Sequence, residues 1–309
     1  MVQAESQPMK PRRGRSKLAV REAIDGYLFI SPWLIGFLVF TAFPMAFSLA
    51  LTFMDWDLLG TQSWAGLANY EKIISDKLVG VSLYNTGYFT FISVPLRMLV
   101  ALGAAMLLNA SVRGLSFFRT AFYLPTVIPA VASVVLWMYI FSPSMGLLNM
   151  GMSALGIPKQ GWLWDPILSK PSLILMTLWT TGNVIIIYLA GLQAIPTQLY
   201  EAAKIDGAGK WAVFRHVTLP MLSPSILFNL IMGIIFSFQV FTNAFLMTNG
   251  GPLNTTLFTV LYLYRAAFEQ FKMGYASSIA WVLFVIILIF TLVQWRLANI
   301  WVYYEGGEK

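Results

Sequence analysis

The 309-residue chain has no cysteine, one histidine, 13 acidic and 20 basic residues. Without cysteine there is no disulfide, thiolate metal site or cysteine nucleophile. A lone His216 and sparse carboxylates leave no set from which a metal cage or a catalytic triad could be built, so neither metal ligands nor catalytic residues are assigned. Charged residues make up 11% of the chain and hydrophobic ones 58%. Soluble domains carry about 25% charged residues, so the deficit points to lipid. No fixed-period repeat and no low-complexity tract is present.

What charge there is lies in particular places. Six of the 20 Lys and Arg fall in the first 21 residues, directly before an apolar run. Such a cluster orients a membrane chain and does not suggest nucleic acid. The run itself exceeds the roughly 7–15-residue core of a signal peptide, so it is read as a retained span. A spanning helix needs about 20 apolar residues. No Asp, Glu, Lys or Arg occurs between Asp25 and Asp55, Arg119 and Lys159, Lys170 and Glu201, Arg215 and Arg265, or Lys272 and Arg296. With Arg97 tolerated inside a further span, helices are expected near 27–53, 84–109, 120–141, 171–193, 221–247 and 274–297. The expected fold class is an all-α polytopic membrane protein with six transmembrane helices. Residues 1–22 are read as a basic, disordered cytoplasmic segment, 23–300 as the membrane domain and 301–309 as a short tail. With both termini inside, inner segments hold 13 Lys and Arg and outer loops six. That bias agrees with the positive-inside rule. The outer loops are rich in Trp and Tyr, including Trp56, Trp64, Trp162 and Trp164, as interface anchors or as contacts for an external partner.

Leu199–Pro220 is a polar insert between two of these apolar runs. Pro196 ends the fourth span, Thr197 is placed to cap a new helix, and Gly207 with Gly209 is expected to break it. A second short helix, about 210–217, should end before Pro220. Leu199, Ala202, Ala203 and Asp206 share one helical face by their spacing. A plain amphipathic helix resting on lipid headgroups is the bland reading of such an insert. Against it, Glu201-Ala202-Ala203, then Gly207, then Leu219-Pro220 resembles the cytoplasmic coupling loop of ABC-importer permeases. Gly191-Leu192-Gln193-Ala194-Ile195-Pro196 and Asp206-Gly207-Ala208 resemble that family's lead-in and turn. Asn249-Gly250-Gly251-Pro252 and Gly274-Tyr275-Ala276-Ser277-Ser278 resemble carbohydrate-type members, in particular the maltose-type first permease.

The resemblance implies a permease subunit in a bacterial cytoplasmic (inner) membrane, with a coupling helix between the fourth and fifth spans. It implies a second, homologous permease, a cytoplasmic ABC ATPase dimer, an extracytoplasmic solute-binding protein and a carbohydrate substrate. ATP and Mg would be used by the partner ATPase, and no cofactor is expected on this chain. Gly209-Lys210 is followed by Trp211, and the position five before Gly209 is Lys204, so the phosphate-cradling loop is missing. Glu201, Ala202, Ala203, Asp206, Gly207, Ala208, Leu219 and Pro220 are the expected ATPase-coupling residues.

For the substrate, Trp179, Thr180 and Asn183 in the fourth span and Ser237, Gln239 and Asn243 in the fifth match the regions where the maltose-type permease contacts its sugar. Read as residues alone, they fit polar contacts between packed membrane helices equally well. Arg97 in a span costs about 2.5–3.5 kcal/mol on insertion scales, so it needs water, protein or a counter-charge. A salt bridge to the companion subunit, or a misplaced span boundary, is the bland reading, and a cavity contact to substrate the functional one. Permeases of polyamine, phosphate or amino-acid importers share the Glu-Ala-Ala loop and form the alternative. A secondary transporter would need intramembrane carboxylates, and the acids here lie in loops or at span ends.

Overall fold

A computed structural model describes residues 17–57, 60, 62–110 and 114–303. Lys10, Arg12, Arg13, Arg15, Arg113 and the tail from 304 lie outside the described residues. The chain divides into a first unit ending at Ala50 and a second beginning at Leu51.

In the first unit, α1 (Lys17–Phe37) passes through a wide turn at Leu38–Ala42 into α2 (Phe43–Leu51). Lys17–Glu22, the end of the segment read as disordered, is therefore helical. Pro32 has no N–H for the Leu28 carbonyl, and the Ser31 hydroxyl donates to that oxygen instead, at 2.8 Å. The helix survives its proline by this substitution.

The second unit opens with a short antiparallel pair, β1 (Met54–Asp55) and β2 (Ser63–Trp64). Buried Asn69 on α3 (Ala68–Ser75) donates to the Thr52 and Met54 carbonyls, each at 3.0 Å. Asp76 then caps α4 (Lys77–Leu108), accepting from the Leu78 N–H at 2.8 Å. That cap starts the helix seven residues before the expected 84, and Arg97 lies well inside it.

The expected third span, 120–141, is two helices, α5 (Leu115–Val127) and α6 (Ala130–Ile140), bent by 101°. Pro129 is the reason: the residue before a proline is driven out of helical geometry, and Ile128 is extended at ψ 130°. Outside this pair, α7 (Leu147–Ala154) leads to α8 (Ser169–Trp179) and α9 (Gly182–Ala194), bent by 48° at Thr180–Thr181. α10 (Thr197–Ile205) and α11 (Lys210–Val213) follow. A wide turn at Phe214–Thr218 then feeds α12 (Leu219–Phe238).

The expected fifth span ran to 247, but the helix stops at Phe238, and α13 (Thr242–Met247) is separate. Here the Gln239 N–H turns to the Phe236 carbonyl at 3.2 Å, while its own side-chain Nε2 donates to the Ile235 oxygen at 3.1 Å. The side chain thus fills the bond that the helix gives up. α14 (Thr259–Tyr264) and α15 (Met273–Trp301) complete the chain.

Among the described residues, Val20–Leu51, Lys77–Leu108, Lys210–Phe238 and Met273–Trp301 are long and apolar enough to cross a membrane, and counting each bent pair as one span gives up to six. α4 is the central element of the second unit, packing on α8, α9, α12 and α14. One buried core gathers Phe141, Leu173, Phe258 and Leu261, and a second gathers Leu108, Tyr188, Leu192 and Leu222.

Candidate functional site: a broken-helix cavity and an exposed helix–glycine–helix segment

The helix breaks lie together. A 350 Å³ cavity is lined by Pro125, Thr126, Ile128 and Ala130 at the α5–α6 bend, and by Thr180, Asn183 and Asn243 at the other two breaks. Irregular backbone inside a membrane is tolerated where it lines a cavity. Asn183 also lines a neighbouring 240 Å³ cavity between α4, α9 and α12, with Arg97, Asn229, Phe228 and Phe236 in its wall. Arg97 Nη2 donates to the Thr180 carbonyl at 3.5 Å, a long contact, and joins the two cavities.

Of the expected substrate residues, the structure brings Thr180, Asn183 and Asn243 to this place and leaves three aside. Ser237 is buried and shares a hydrogen bond with Ser93 at 3.1 Å, so it ties α12 to α4. Gln239 is exposed, gives one Nε2–H to the Ile235 carbonyl and lines neither cavity. Trp179 packs edge-on against Trp137 at 6.1 Å. Arg97 has no boundary to explain it away, because α4 continues for eleven residues beyond it. Asn229 was the quieter signal: an amide in an apolar helix, 4% exposed, in the wall of the cavity.

At the other site, α10 carries no buried residue, and Glu201, Ala202 and Asp206 are exposed while Ala203 is half-buried. Pro196, not Thr197, occupies the cap position, and no side chain caps the helix. Gly207 closes it at φ +74°, where a Cβ would be strained, and its N–H bonds the Lys204 carbonyl at 3.1 Å. The helix after Gly209 does not end before Pro220. It runs through the wide turn into α12, and that turn absorbs the N–H that Pro220 lacks, with Leu219 N–H bonding Phe214 O. Tyr200 and Thr218 share a hydrogen bond at 3.3 Å that fixes α10 to this turn. Two exposed apolar residues complete the surface, Ile205 at 86% and Trp211 at 70%. Neither stood out in the sequence, because each lies outside the Glu-Ala-Ala spacing.

The opposite end holds a polar anchor. Asp76 accepts hydrogen bonds from the hydroxyls of Tyr262 and, at 2.6 Å, Tyr275. Burial pushes its carboxyl up, but these bonds and the Leu78 and Val79 N–H groups outweigh it and hold the pKa below 3.8. Burial first, and then the Asp76 carboxylate, raise Tyr262 to about 12. In the 142–162 loop, buried Asn149 bonds the Pro143 and Gln160 carbonyls and accepts from Gln160 N–H and Trp162 Nε1. Trp162 is a structural part of its loop, while Trp64 and Trp164 stay exposed.

Residues 97–299 match the model of the binding-protein-dependent transport system inner membrane component. The chain is 40% identical over 300 residues to the probable ABC transporter permease protein YesP of Bacillus subtilis, covering 96% of this chain and 97% of that one. It is 35% identical over 289 residues to the trehalose/maltose transport system permease protein MalF of Thermococcus litoralis, covering 92% and 97%. In fold it is similar to a chain of a bacterial ABC transporter that imports the acidic polysaccharide alginate, with a TM-score of 0.80 at 22% identity over 91% of this chain and 96% of that one. With its apolar spanning helices, a broken-helix cavity and matches over nearly its whole length, the chain belongs to the inner membrane components of binding-protein-dependent transport systems.

Proposed function

We propose that this chain is one permease subunit of an ABC importer for carbohydrate, forming half of a translocation pore with a second, homologous permease. The observation that carries the proposal is the exposed α10–Gly207–α11 segment set between two spans of a permease-family chain. Relatives 35%, 35% and 32% identical are named for transport of trehalose/maltose, lactose and arabinooligosaccharides, which supports carbohydrate as the cargo class.

Both termini face the cytoplasm in this reading, which puts α10 where ATP is. Glu201, Ala202, Ala203, Asp206, Gly207, Ala208, Leu219 and Pro220 form the segment gripped by a cytoplasmic ATPase dimer. Ile205 and Trp211 give that contact an apolar surface to bury. Because Tyr200 and Thr218 fix α10 to the base of α12, a push on α10 is delivered to the helix that carries Asn229 and Phe236 in the cavity wall. ATP and magnesium act in the separate ATPase, and this chain binds no cofactor. Sugar enters from an extracytoplasmic solute-binding protein and passes Thr180, Asn183 and Asn243.

Uptake of labelled sugar into proteoliposomes holding the assembled importer and its binding protein tests the reading. Uptake should require internal-leaflet ATP and persist with an ionophore present. Uptake that ignores ATP and collapses with the ion gradient would make the chain a secondary transporter.

A further inference from the structure

Arg97 stands in the wall of the 240 Å³ cavity with its Nε–H buried and without a partner. Its remaining contact is the long one to the Thr180 carbonyl, a neutral acceptor. No Asp or Glu occurs between Asp76 and Asp165, between Asp165 and Glu201, or between Asp206 and Glu269. α4, α9 and α12, which build the cavity, therefore offer no carboxylate to this cation. A guanidinium edge with a free Nε–H is half of a planar fork that fits two oxygens of a carboxylate or phosphate.

The surroundings favour the same charge. Asn229 and Asn183 line the same cavity, Asn183 exposed to it, so two amides stand beside the guanidinium. The first turns of α6 and α9 reach the adjoining cavity at Ala130 and Asn183. Free backbone N–H groups and the positive helix end add to the potential there. Val94, Met98, Phe228 and Phe236 supply an apolar wall, which strengthens any attraction between charges. Neutral hydroxyls could share hydrogen bonds with these donors, but they would leave the cation uncompensated.

We propose that this cavity receives the anionic group, a carboxylate or a phosphate, of a charged carbohydrate, with Arg97 as its counter-charge. The assignment rests on the carbohydrate-import reading and narrows it from sugar to acidic sugar.

The test compares ATP-driven uptake of three labelled probes by the assembled importer in proteoliposomes: a uronate-bearing oligosaccharide, a sugar phosphate and a neutral oligosaccharide. The wild type should favour one anionic probe over the neutral one, and that winner identifies carboxylate or phosphate. R97Q should cut kcat/KM for the favoured probe by about tenfold or more and erase the preference, as expected for a lost charge-assisted bond. R97K, which keeps the charge and loses the fork, should retain part of it. A wild type that carries the neutral probe as well as either anion overturns the proposal. So does an R97Q effect equal on all three probes, or loss of the companion subunit on co-purification of both variants, which would place the counter-charge there. Failure of ATP to drive any of the three probes strikes the carbohydrate-import reading itself.

Discussion

The Tyr275 hydroxyl donates to Asp76 Oδ2 at 2.6 Å, binding the start of the last spanning helix to the cap of the second. Tyr262 joins the same oxygen, so three elements meet at one carboxylate. Its depressed pKa means that folding favours the ionised form. The stabilisation is present above the ordinary value of 3.8 and is lost as pH falls through the lower, folded value. Asp76→Asn should therefore lower the melting temperature of the purified protein at neutral pH. The gap from wild type should narrow as the pH is taken below about 4. A gap that is the same at both pH values would deny the carboxylate this role.

Gly274 lies directly against the main-chain oxygen of Met54, and a Cβ there would overlap it. Backbone cannot yield as a flexible side chain can, so Gly274→Ala should cost about 1–3 kcal/mol or block folding. Gly103, also in a spanning helix, has nothing within 4 Å of its Cβ position. Gly103→Ala should be neutral or stabilising by about 0.5–1 kcal/mol. Paired thermal melts of the two variants check the contrast.

Asn183 and Ser237 were both candidates by sequence, and the structure places Asn183 in the cavity wall and Ser237 against Ser93. Asn183→Ala should raise KM for the carried sugar by about tenfold, the cost of one or two hydrogen bonds. Ser237→Ala breaks the bond to Ser93 and should appear as about 1 kcal/mol of lost stability, with no rise in KM. Uptake kinetics and melting of the same two preparations distinguish the effects. The opposite pattern would put Ser237 in the sugar path.

Gly207 holds α10 closed at φ +74°. Gly207→Ala should strain that turn by about 1 kcal/mol and reduce ATP-driven uptake. Binding of sugar by the separate binding protein offers the control, since the substitution is remote from it. Uptake equal to wild type would show that the turn tolerates a side chain without loss of coupling.

Much of this was legible in one sequence. Charge-free runs marked the apolar spanning helices because burying charge in lipid is costly, and Pro196 and Gly207 bracketed α10 because each has a backbone reason to stop a helix. The breaks were less legible. Pro129 announced its bend, but the apolar run around it hid the signal. Thr180–Thr181 carries no proline, and the end at Gln239 depends on a side chain replacing a backbone bond. Asn149 and Asp76 act through partners up to 199 residues away, which spacing along the chain cannot reveal. The carboxylate-free wall around Arg97 is likewise a property of three packed helices.

The central claim is that α10 is where ATP-driven force enters the chain, and the absence of cysteine gives it a direct test. Ile205→Cys introduces the sole thiol at the exposed tip of that helix. In the assembled importer this thiol should cross-link to a cysteine placed on the ATPase, be shielded from a water-soluble maleimide, and block uptake once linked. A thiol that labels as fast in the assembly as in the isolated permease, and forms no cross-link, would contradict the account.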